Sequence, residues 1–112
     1  MITLMKWGTP HIISFHIDRY SGNGNLYVGL IANENGYSEA WGDLTVNLGV
    51  KREFNRAFID TNGNGNEIID WLVAHKLGKP TGVYEQSGHC RYPEFEFDMV
   101  ELSKHEECNG YY

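Results

Sequence analysis

Residues 57–80, AFIDTNGNGNEIIDWLVAHKLGKP, constrain the fold more than any other stretch, because a strand, a polar turn, a helix and a stop follow one another there. The spacing predicts a helix over 66–77, with Ile68, Ile69, Leu72, Val73 and Leu77 on one stripe at helical period. Asn64 or Asn66 can cap its start, Glu67 and Lys76 suit the two ends of its dipole, and Gly78 with Pro80 supply the stop. No other segment shows a helical period of this quality. A helix with one apolar stripe must bury it, and the rest of the chain offers strands for it to lie on.

Those strands show in the two-residue period. HIISFHIDRY (11–20) puts Ile13, Phe15 and Ile17 on one side, and NLYVGLIAN (25–33) answers with Leu26, Val28 and Leu30. SGNGN (21–25) between them is a turn, and the Asn-Gly pair in ENGY (34–37) marks a second hairpin. A third strand is expected over 37–48, with Gly42 marking a bulge or a close backbone approach. GVKREFNR (49–56), which holds Lys51, Arg52 and Arg56, reads as an exposed connection. Short strands are expected at 57–60 and 82–86, and a longer one at 91–102, with the tail 103–112 fraying. The expected architecture is a single α+β domain over residues 1–112: an antiparallel, twisted sheet of about five strands with one helix packed on one face.

Charge and composition exclude several functions. The chain of 112 residues carries 15 acidic and 9 basic side chains, a formal charge of −6, which opposes direct nucleic-acid binding. No apolar run is long enough for a membrane span and MITLMKW lacks the core of a secretory leader, so a cytoplasmic protein is expected. Cys90 and Cys108 do not make a disulfide framework.

The motifs that carry chemistry are weak. DTNGNGNEIIDW (60–71) opens like a calcium loop, with Asp60, Asn62, Asn64 and Gly65 in place, but its twelfth position is Trp71 where a bidentate carboxylate belongs. An Asx-rich turn leading into the helix explains it better. His89-Cys90 and His105-x-x-Cys108 are a possible zinc set with poor spacing, and Ser87, His89 and Cys90 lack a third orienting group for nucleophilic catalysis. No cofactor, metal ligand or catalytic residue is therefore assigned. Glu94, Glu96 and Asp98 alternate along the last strand and make a line of negative charge, interrupted by Arg91 and Lys104.

LTVNL (44–48), DTN (60–62), LGKPTG (77–82) and SGHCRYP (87–93), followed by an aromatic strand, together carry a resemblance. The chain resembles a family of small uncharacterised bacterial proteins, a domain of unknown function, whose members look like accessory cargo of conjugative or integrative mobile elements. That resemblance implies context and no activity. The expected role is a non-enzymatic protein–protein interaction module with an unknown protein partner, acting through an exposed sheet face or the 82–93 loop. Tyr84, Tyr92 and Trp41 are the expected aromatic contacts. Two rivals are an anti-defence protein presenting Glu94, Glu96 and Asp98 as a DNA-mimicking face, and a metal-binding protein or enzyme using the His89/Cys90 loop.

Overall fold

Ile13, Phe15 and Ile17 stand opposite Ala32, Leu30 and Val28 in an antiparallel ladder, which sets the first layer of the fold. In the computed structural model, which describes residues 2–34 and 36–107, four strands form this sheet in the order β1-β2-β3-β4. They are β1 (Ile2–Lys6), β2 (Thr9–Arg19), β3 (Leu26–Glu34) and β4 (Tyr37–Asp43). A second antiparallel sheet, in the order β5-β6-β8-β7, contains β5 (Thr45–Val46), β6 (Arg56–Ile59), β7 (Gly78–Ser87) and β8 (Cys90–Phe97). Among the described residues there are three short helices: α1 (Thr61–Asn64), α2 (Glu67–Ala74) and α3 (Met99–Ser103).

This corrects the expected α+β architecture. The described residues are mostly β, with two four-stranded sheets and three short helices in place of one sheet of about five strands and one helix. Two local causes explain the difference. MITLMKW, read only as a non-leader, contributes β1, which returns into β2 through a two-residue turn at Trp7 and Gly8 with φ of 52° and 75°. Positive φ at both positions makes this the hairpin turn that normally carries Asn-Gly, so a Trp at its first position hid it.

The second cause lies within 37–48, which was expected to be one strand. The predicted bulge is present: Ile31 pairs with Ala40 and Leu30 with Gly42, so Trp41 is the extra residue. Just beyond it the chain leaves the first sheet. Leu44 N–H still bonds Val28 O at 2.8 Å, while Thr45 and Val46 already pair with Ile59 and Phe58 of β6. A strand that bends from one sheet into the next makes such a corner.

The helix of residues 66–77 is shorter than its stripe suggested. It ends because Lys76 takes a φ of 62°, and Leu77 N–H then bonds back to Leu72 O at 3.0 Å. That is a Schellman stop with Lys76 in the place usually given to glycine, two residues before Gly78. At the other end Asn66 is the cap position but makes no side-chain cap bond. Asp60 instead caps α1, accepting from Gly63 N at 2.9 Å, so the Asx-turn reading of the DTNGNGN segment holds.

Residues 91–102 also divide. The strand stops at Phe97, and Asp98 caps α3 by accepting from Val100 N and Glu101 N. Beyond α3 the chain is tied down where fraying was expected. Phe15 N–H bonds His105 O at 2.8 Å and Glu107 N–H bonds Phe15 O at 2.7 Å, so Glu106 sits beside β2 as a parallel bridge. Residues 108–112, and with them Cys108, lie outside the described residues.

One core joins the parts. Phe15, Leu26 and Leu30 from the first sheet, Ile59, Phe95 and Phe97 from the second, and Ile68 and Leu72 from α2 form a single buried cluster. Among the described residues, no helix is long and apolar enough to cross a membrane.

Candidate functional site

The line of carboxylates on β8 is the first expectation the side chains revise. Pairing places Glu94 opposite Phe58 on the face of the second sheet turned away from the main core. That face is not wet there, since Glu94 is fully buried and Phe58 nearly so. The 47–55 segment folds over them. Arg52 lies across the Phe58 ring, 5.3 Å from its centroid, and donates Nε to Glu94 Oε2, while the Thr81 hydroxyl donates to Oε1 at 2.8 Å. Burial works to raise the Glu94 pKa, but the bonds from Arg52 and Thr81 and the nearby Arg56 charge outweigh it and hold the carboxyl below its ordinary value.

Asn25 fastens the covering segment. Its side chain donates to Val50 O at 2.8 Å and accepts from Arg52 N at 2.9 Å. The basic cluster expected to be an exposed connection is thus committed internally: Arg52 to Glu94, Arg56 to Glu96 at 2.9 Å, and Lys51 to Asn23 O at 2.9 Å. Asp98 is spent on its cap. Glu94, Glu96 and Asp98 therefore present no free row of negative charge.

Tyr84 and Tyr92 lie on the β7–β8 hairpin, and Tyr84 is half-exposed with Arg91 stacked 4.1 Å from its ring centroid. Trp41 belongs to the other sheet, so the three expected aromatic contacts do not form one patch. His89 and Cys90 do meet the turn before the helix, in a hollow of about 250 Å³ shared with Thr61, Asn62, Asn66 and Arg91. Among the described residues no three His, Cys, Asp or Glu side chains are grouped to hold a metal ion.

The strongest concentration of uncommitted chemistry lies around Trp41, which was expected as a contact, and Lys6, Trp7 and His11, which were not. Trp7 is 78% exposed although it occupies a left-handed turn position that suits Asn or Gly. Its ring stands edge-to-face with Trp41 at 5.5 Å and with His11 at 5.9 Å, and His11 meets Trp41 at 4.6 Å. Lys6 holds its ammonium 5.5 Å from the Trp7 ring and 6.0 Å from Trp41. His11 Nδ1 bonds the Glu34 carboxylate, and its Nε2 is buried without a hydrogen-bond partner among the described residues. The bulge explains why Trp41 reaches this cluster: the extra residue re-aims the side chain from the strand.

Beside the cluster runs a groove of about 500 Å³ between β1 and the start of α2. Met5, Lys6 and Trp7 form one wall, and Asn64, Glu67 and Trp71 the other. Trp71 Nε1 donates to Thr3 O at 2.8 Å and closes one end. A larger hollow of about 610 Å³ lies by Phe54, Lys76 and Val100. Its two carboxylates, Glu96 and Asp98, are already paired or capping. The signal for the groove was present in the sequence: ITLMK and TPHII flank a Trp-Gly pair, a hairpin pattern with an unusual turn residue.

A family model described as Domain of unknown function (DUF4313) matches residues 14–110. The chain belongs to that family. The match agrees with the resemblance to a domain of unknown function and does not extend to an association with mobile elements. No curated protein and no solved structure matches the chain. β1 and the Trp7–Gly8 turn precede the matched span.

Proposed function

We propose that this member of the DUF4313 family is a non-enzymatic protein-binding module, an accessory protein of a mobile genetic element acting in the cytoplasm. Its contact surface is the end of the first sheet that carries Trp7, Trp41 and Lys6. One observation carries this reading: a Trp exposed at 78% is kept at a φ of 52°, where Asn or Gly would sit without strain. Residues held in costly backbone conformations cluster at sites of recognition, and exposed Trp is the residue most enriched among binding hot spots. The packing of Trp7 against Trp41 and His11 orders the ring in advance, which lowers the entropy lost on contact.

The reading is tested in host-cell extract by the size of the complex that contains the tagged protein. Trp7→Ala with Trp41→Ala should move the protein from the complex to the free-chain position. Tyr84→Ala with Tyr92→Ala, on the β7–β8 hairpin, should leave the complex in place. The reverse pattern removes the proposed surface and restores the 82–93 loop.

A further inference from the structure

We propose that the groove beside β1 takes an extended peptide segment of the partner, which adds as a short strand to the β1 edge and places a basic side chain against Glu67. This rests on the protein-binding reading above and names the form of the ligand. Among the described residues β1 pairs with β2 on one side only, so its other side is an edge of the sheet. In an antiparallel hairpin closed by a two-residue turn, the residues flanking the turn exchange hydrogen bonds and bonding then alternates. Lys6 and Leu4 therefore turn their main-chain groups toward Thr9 and His11. Thr3 and Met5 turn theirs outward.

Two observations agree with that alternation. Met5 faces Pro10, which has no N–H to give. Trp71 reaches the Thr3 carbonyl from the groove side. Farther along β2, beyond the end of β1, Phe15 already exchanges hydrogen bonds with His105 and Glu107, so the chain's own last described segment fills that lane. The open row is thus confined to the stretch along the groove, around Met5.

An outward N–H and C=O on one residue match the main chain of another extended segment, and main-chain pairing at a free edge between a strand and a helix is a recurrent form of peptide recognition. Charge selects within that form. Glu67, on the facing wall, has no ion-pair partner among the described residues, while Lys6 is already drawn over the two Trp rings. A segment with a Lys or Arg opposite Glu67 and an apolar side chain toward Met5 and Trp7 meets both walls.

The probe is a random peptide library displayed and selected against the full chain, with the enriched peptides resynthesised. Enriched peptides should carry a basic residue and perturb the Thr3 and Met5 amides in NMR spectra. N-methylation at alternate peptide positions should weaken binding by about tenfold or more, and methylation at the intervening positions should not, because only every second N–H enters the ladder. Met5→Pro should weaken it comparably and Glu67→Lys should reverse the charge preference. Should Met5→Pro fail to fold, the N-methylation pattern decides alone.

Uniform sensitivity to N-methylation, or enrichment with no change at Thr3 and Met5, overturns strand addition while the Trp7 and Trp41 surface stands on its own test. No enrichment overturns the inference as well. Concentration-dependent protection of the Met5 amide without peptide gives the edge to a second copy of this chain and overturns it equally.

Discussion

At the scale of single residues, the Arg52–Glu94 pair is the clearest case of a charge that the fold must keep matched. Glu94 is fully buried with Arg52 and Thr81 as its partners, so Arg52→Ala leaves a carboxylate without its cation and should cost about 3–5 kcal/mol in denaturant unfolding. Replacing both Arg52 and Glu94 by Met should cost much less, because two apolar chains need no partners. The pH dependence follows in sign. The folded carboxyl is held below the ordinary value of 4.5, so its stabilising contribution is complete above that pH and is lost as pH falls through the folded value. Unfolding curves measured downward from pH 5 should show that loss, and Glu94→Gln should flatten it.

Gly78 is the other residue whose identity is fixed by its surroundings. A Cβ there would stand 2.0 Å from Glu96 O, at a φ of 147° that side chains rarely adopt. Gly78→Ala should lower stability by several kcal/mol, on the order of the larger single-residue effects, measured as a drop in the thermal midpoint. The sequence offered Gly78 as a helix stop, and its actual duty, close approach to β8, could be seen only once the register of Gly78 against Phe97 was known. For the same reason Glu94 looked exposed. Its alternation with Phe95 and Phe97 was read correctly, but nothing local told that the 47–55 segment folds over the outer face.

Among the elements, the β1–β2 hairpin joins stability to function. Trp7 at a φ of 52° bears a cost of roughly 1–2 kcal/mol relative to a residue at home there. Trp7→Asn removes that strain along with edge-to-face contacts worth about 0.5–1.5 kcal/mol each. The two effects largely offset, so the unfolding free energy should change by no more than about 2 kcal/mol, while the proposed contact surface loses its most exposed ring. A loss of several kcal/mol would make Trp7 a structural residue. The meander of β2, β3 and β4 was legible because Asn-Gly turns and alternating apolar residues agree there. β1 was not, because its turn carries the wrong residue for its geometry. α2 was legible in its face and overextended in its length, since Lys76 rather than Gly78 takes the left-handed stop.

For the whole molecule, the two sheets and α2 share one core, so damage in one layer should unfold both. Leu72, on α2 and fully buried, touches that common cluster, and Leu72→Ala should cost about 2–5 kcal/mol with a single transition by every probe. The corner at Asp43–Leu44, where one strand leaves the first sheet for the second, was the feature that local sequence could not announce. In the sequence the apolar alternation of Leu44, Val46 and Leu48 runs through it, whereas in the fold Leu44 and Thr45 are both buried and Val46 pairs with Phe58 on the outer face, so only pairing with β6 in place of β3 distinguishes the two sheets. The same corner separates two of the expected contacts: Trp41 and Tyr84 belong to different sheets, which sequence spacing alone does not show.

The decisive measurement is site-specific photo-crosslinking in the host cell, with a photoreactive amino acid placed at the exposed position 9 beside the Trp7–Gly8 turn, or at position 84. A discrete protein adduct from position 9 that disappears when Trp7 and Trp41 are both replaced by Ala is expected, with little or none from position 84. An adduct confined to position 84, with position 9 silent in a folded protein, would overturn the Trp7 and Trp41 surface.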